Sequence, residues 1–162
     1  VGGVAASVND ILLALREMPA LYNEAIERDR VSRLMACEFA ERALPAFELA
    51  IPDDNRPRIA IETARHFLNG VASTADLKQA EKEVARSRHV AEKLYVECVV
   101  NGGICNAVTA AEFTVAADAA DAARGAAANG SGHVGLGPPY TKEKEAQRAI
   151  IAKYLIVNEV TA

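Results

Sequence analysis

Tryptophan is absent from this chain of 162 residues, and phenylalanine and tyrosine number only four each. So few rings cannot supply the large buried areas on which sandwiches and barrels draw. Cysteine is scarce and odd in number, so Cys37, Cys98 and Cys105 cannot all pair within one chain. Their alanine, valine and isoleucine neighbours predict reduced, partly buried thiols, and neither their spacing nor any adjacent histidine suggests zinc. An excess of basic residues is also missing: 18 Lys and Arg face 22 Asp and Glu, for a net charge of −4. That balance argues against non-specific nucleic-acid binding, which needs a basic surface to neutralise phosphates, and suits a basic partner. No apolar run reaches the roughly 18 residues of a membrane span. The Val1-Gly2-Gly3 start lacks both an initiator Met and the charged opening of a signal peptide, so cytoplasmic residence is expected.

What is present is alanine, within a hydrophobic share of 51%. Alanine is the strongest helix former and lets helices approach closely. With no strand-like alternation and no internal repeat, the expected fold is an all-α, compact bundle of five to six helices. Residues 1–162 then form a single helical domain, with a Gly/Pro-rich loop at 129–140. Ser7 is placed to cap a first helix carrying Ile11, Leu12 and Leu15, which Pro19 breaks. A short turn through Ile26 precedes a helix from about Arg30 to Leu44, where Pro45 predicts a stop or a bend. Asp54 or Asn55, followed by Pro57, opens another helix that ends at Asn69-Gly70. Ser73 or Thr74 caps a longer helix reaching about Val100. Another is expected to run from Ile104 to about Ala128, its alanines predicting a close contact between helices. The last spans Thr141 to about Glu159.

No complete catalytic or cofactor motif appears, so a binding protein without a cofactor is expected rather than an enzyme. Gly130-Ser131-Gly132-His133-Val134-Gly135 spells the dinucleotide fingerprint, but it follows an alanine-rich helix and runs into Pro138-Pro139, which predicts a connector. His66, His89 and His133 lie on three different elements, without the spacing that places two ligands on one helical face. Carboxylates at i and i+3 share a helix face: Glu24 with Glu27, Glu38 with Glu41, and Asp118 with Asp121. Convergence of Glu38, Glu41, Asp118 and Asp121 would make a magnesium site for hydrolysis of a phosphorylated small molecule. Ligand sequestration in a pocket lined by Ala116 to Ala128 is a further alternative. Around Pro57, Arg56 and Arg58 stand beside Asp53 and Asp54. Their forks either brace a rigid turn or present a preorganised contact to a partner.

The run from Ala36-Cys37-Glu38-Phe39 through Leu44-Pro45-Ala46-Phe47, continuing into Pro52-Asp53-Asp54-Asn55-Arg56-Pro57-Arg58-Ile59-Ala60-Ile61, resembles the Imm-5-like family of putative immunity proteins. The likeness is good over about residues 33–70 and includes the alanine-rich later helix more loosely. It implies a protein that neutralises a protein toxin or effector, here by occluding it. Asp53, Asp54, Arg56, Arg58, Glu38 and Glu41 are then the candidate contacts with a basic effector. A homodimer is expected because symmetric dimers are the commonest assemblies.

Overall fold

The computed structural model describes the backbone of residues 7–17, 25–135 and 137–161 and the side chains of 7–13, 28–135 and 137–154. Among these the chain is all-α, and seven helices follow one another: α1 (Val8–Glu17), α2 (Ala25–Ala50), α3 (Arg56–Leu68), α4 (Thr74–Val96), α5 (Gly102–Thr114), α6 (Ala119–Gly132) and α7 (Pro138–Thr161). The expected five to six become seven because one long helix is in fact two. Pro19 and the turn before Ile26 fall largely outside the described residues.

Helix α2 is the spine. Cys37, Ala40, Ala43, Leu44 and Phe47 point into one core with α3, α4 and α5, while Met35, Ala36 and Phe39 point into a second with α1 and α6. Burial on two sides explains why α2 lacks a single apolar stripe. Of the two outcomes expected at Pro45 the stop does not occur, and the helix carries the proline in its interior. Pro45 is exposed, so the Glu41 carbonyl it leaves without a helical partner faces outward, while Leu44 and Phe47 anchor the adjoining turns in the core. Packing of those two side chains, about 2–3 kcal/mol each by area, outweighs the local cost of the proline.

Three helices open with the same side-chain device. Ser7 accepts from the Asp10 amide at 3.1 Å, Ser73 from the Asp76 amide at 3.2 Å, and Asp118 from the Asp121 amide at 2.9 Å. Each satisfies one of the orphan donors of a first turn. Helices α3 and α4 end alike. Val71 donates to the His66 carbonyl and Val99 to the Leu94 carbonyl, both at 2.8 Å, around a residue of positive φ. In α3 that residue is Gly70; in α4 it is Cys98, at φ 60°. The α4 helix therefore closes at Val96, short of the expected end near Val100, and Gly102 and Gly103 begin α5.

The predicted Ile104–Ala128 helix is interrupted at 115–118. The break is held from outside by Arg33 of α2, which is 4% exposed. One of its terminal nitrogens donates to the carbonyls of Thr114 and Ala116, both at 2.8 Å, and the other to Ala117 at 3.4 Å. Its guanidinium also lies 5.5 Å from the centre of the Phe67 ring. Carbonyls freed at the end of α5 thus meet a cation (the charge that favours a helix C-terminus) while Asp118 caps the helix that follows.

The alanine-rich stretch packs closely, as expected. Ala122, Ala123, Ala126 and Ala127 are buried against α2, and at Gly130 an added Cβ would lie 3.1 Å from the Phe39 carbonyl oxygen. The predicted 129–140 loop is largely helical: Gly130 to Gly132 complete α6, and α7 begins at Pro138 rather than Thr141. Two prolines suit a first turn, where their missing donors would be unpaired in any case.

Candidate functional site

The corner between α2 and α3 holds most of the candidate contacts, and the structure commits nearly all of them internally. Asp54 accepts from the Arg56 amide at 3.1 Å and from two nitrogens of the Arg56 guanidinium at 2.8 and 2.7 Å. It does the capping work at this helix start, since the Asn55 side chain makes no cap bond. Burial alone would raise the Asp54 carboxyl, but the bonds from Arg56 outweigh it and hold the group below its usual range. Arg58 forks onto Glu48 of α2 at 2.8 and 2.5 Å, and Arg65 of α3 onto Glu41 at 2.7 and 2.8 Å. Pro57 is buried in the first turn of α3. Glu38 accepts from Lys153 at 2.6 Å and from the Tyr154 hydroxyl at 2.8 Å, both on α7. Of the six candidates, Asp53 alone is exposed and makes no ion pair among the described residues.

The carboxylate pairs do not come together. Glu38 and Glu41 face α7 and α3 respectively, Asp118 caps α6, and Asp121 pairs with Arg124 at 2.5 Å. Among the described residues no three His, Cys, Asp or Glu side chains gather where they could hold a metal ion. The magnesium alternative required that convergence. The i, i+3 spacing of Asp118 and Asp121 is instead that of a helix cap. Glu24 and the Glu27 side chain lie outside the described residues.

The thiols divide by environment. Cys37 is fully buried, and desolvation pushes it up to about 12. Cys105 is half-buried and raised for the same reason, while Cys98 is exposed, contrary to the expectation of partial burial. His66 and His89 are exposed and His133 is half-buried beside the Gly130 carbonyl.

Two surface clefts escaped the sequence reading. One, of about 430 Å³, lies beside Arg33 and Phe67 where the end of α3 faces α2 and the start of α6. The other, of about 400 Å³, runs between α4 and α5 and is lined by Glu81, Arg88, Glu92, Thr109, Glu112 and Phe113. In its centre Arg88 bridges Glu112 at 2.6 Å and Glu92 at 2.9 Å. Past Glu92 the same helix exposes Tyr95 and Val96, with Val99 just beyond; Val96 is 78% exposed. The 4-3-4-3 spacing of Glu81, Ala85, Arg88, Glu92 and Tyr95 was the available signal. It marks one face of a helix, but sequence alone does not show which face a neighbour leaves open.

These features define a helical bundle whose charged side chains lock its elements together, with two clefts and an exposed apolar end of α4 on its surface. Residues 26–99 match the family described as Imm-5 like putative immunity protein, the stretch that spans α2, α3, α4 and the α2–α3 corner. No curated protein and no solved structure matches the chain. Among the described residues no helix is long and apolar enough to cross a membrane.

Proposed function

We propose that this protein is an immunity-type binding protein that neutralises a protein effector by occluding it. The family match over α2 to α4 carries the reading. The internal clamps support it: a scaffold whose elements are pinned by two-pronged guanidinium–carboxylate pairs loses little freedom on binding, and preorganisation favours affinity. The net charge of −4 favours a basic effector through faster electrostatic encounter. The three unbridged thiols fit a reducing cytoplasm, and the two cores share α2, which fits a single domain.

The pairing of Asp54, Arg56, Arg58, Glu38 and Glu41 within the chain gives them a scaffolding role in this proposal, with Asp53 left as the free acid of the corner. The test is co-expression in a bacterial host with the candidate effector encoded beside the gene. Restored growth and a stoichiometric complex on gel filtration are the expected results. Toxicity unchanged by the protein, with no complex formed, would overturn the reading.

A further inference from the structure

We propose that the groove between α4 and α5, with the apolar end of α4, is the docking surface for a basic, amphipathic helical segment of the protein partner. The proposal rests on the immunity reading for the class of partner and adds where it binds and with what chemistry. Two antiparallel rows define the groove. On α4, Glu81, Arg88, Glu92 and Tyr95 follow one face; on α5, Glu112, Thr109, Cys105 and Gly102 run back beside them. The Arg88–Glu112 bond joins the rows in the middle of the groove, and farther along a Cβ on Gly102 would lie 3.7 Å from the Tyr95 ring.

Charge and apolar exposure are separated along this surface. At one end Arg88 is shared by Glu92 and Glu112, while Glu81 is exposed and makes no ion pair among the described residues. Lys78, three residues before Glu81, shares that face, so Glu81, Glu92 and Glu112 against Arg88 and Lys78 leave the row one negative charge in excess. Lys82 and Lys93 each follow a row carboxylate by one residue, which turns them about 100° away from the row. At the other end Tyr95 is 53%, Val96 78% and Val99 65% exposed. Apolar side chains so exposed and adjacent mark an interaction site more often than isolated ones do. A helix laid in the groove would set Lys or Arg against the carboxylates and leucine-like side chains against the valines. This is the helix-in-groove mode of recognition. Charge complementarity thus selects the occupant.

The probe is a synthetic Lys/Leu amphipathic peptide of about 18 residues, long enough to hold a helix, with a Glu-for-Lys counterpart as control. Each is titrated into the isotopically labelled full chain and followed by amide NMR. We expect saturable binding of the Lys peptide alone, with shifts along residues 81–99 and 102–113. Because Glu81 and Val96 are exposed, E81K and V96D leave the fold intact, and together they should weaken binding about tenfold or more. Shifts mapping elsewhere, equal binding by the double variant, or no saturable binding would overturn the proposal. So would self-association of the wild type that V96D abolishes, which would make a second copy the occupant. Co-expression separates the two readings. Full protection by the double variant sinks the groove and spares the immunity function; peptide binding without protection does the reverse.

Discussion

Replacing Arg33 with methionine isolates the energetics of the α5–α6 break. The substitution removes two charge-assisted bonds of 2.8 Å to the Thr114 and Ala116 carbonyls. Such bonds contribute about 1.5–3 kcal/mol each. Thr114 is fully buried, so its carbonyl would be left without water, while Ala116 is half-buried and rehydrates in part. Against this stands relief of the desolvation that lowers the Arg33 pKa, a cost of several kcal/mol for a buried ion. The net expectation for R33M is a loss of about 2–4 kcal/mol, read as a lower urea midpoint at unchanged slope. R33K keeps the charge but not the fork and should lose less, about 1–2 kcal/mol. Amide exchange should quicken at residues 114–118 in both. A midpoint for R33M at or above that of the wild type would refute the reasoning, because desolvation would then outweigh the capping bonds.

Other substitutions test other elements. Cys98 holds a left-handed conformation at the end of α4 that costs an L-residue roughly 1–2 kcal/mol, so C98G should raise the thermal midpoint; a fall would show that the thiol contributes packing. G125A, inside α6, gains more helix propensity than G102A at the first position of α5, yet a Cβ at Gly125 overlaps the Phe113 ring whereas one at Gly102 meets only ordinary contact. G125A should therefore destabilise and G102A be neutral or stabilising by up to about 1 kcal/mol; the same sign for both would contradict the packing described. Desolvation raises Cys37 to about 12, and burial with the Glu38 bond raises Tyr154. A raised folded-state pKa gives stability that is intact below the ordinary value and lost as pH climbs through the folded one. Stability read from urea unfolding should thus fall from about pH 9 toward 12, by up to about 1.4 kcal/mol per unit from Cys37 alone. C37A should flatten the profile, and a wild-type midpoint constant over this range would rule the argument out.

Local signals carried much of the fold. Ser7, Ser73 and the Asn69-Gly70 stop read correctly because caps depend on residues a few positions apart. Pro45 left a stop or a bend open because the burial of Leu44 and Phe47, which overrides the stop, is a tertiary fact. The 115–118 break was hidden by alanine on both sides. Asp118-x-x-Asp121 did signal it, but the same spacing also suits a shared ion, and only the partners each carboxylate finds decide between them. The corner motif was legible as a motif, and the bracing account of it is the one the geometry favours. The groove was not legible, because it depends on which faces of α4 and α5 turn toward each other.

The two clamps between α2 and α3 work as a vernier. Glu41 and Glu48 stand about two turns apart on one helix, and so do their partners Arg65 and Arg58 on the other, in antiparallel order. Sliding α3 by a single turn, about 5.4 Å, breaks both clamps at once. Sliding it by two turns brings Glu41 opposite Arg58 but leaves Glu48 and Arg65 unmatched. Each pair alone contributes about 1 kcal/mol or less at such exposure, yet together they single out one alignment among several that alanine-rich surfaces would tolerate. Smooth helices pack in many registers; here two charged teeth choose one, and that choice fixes where α3 sits along the spine.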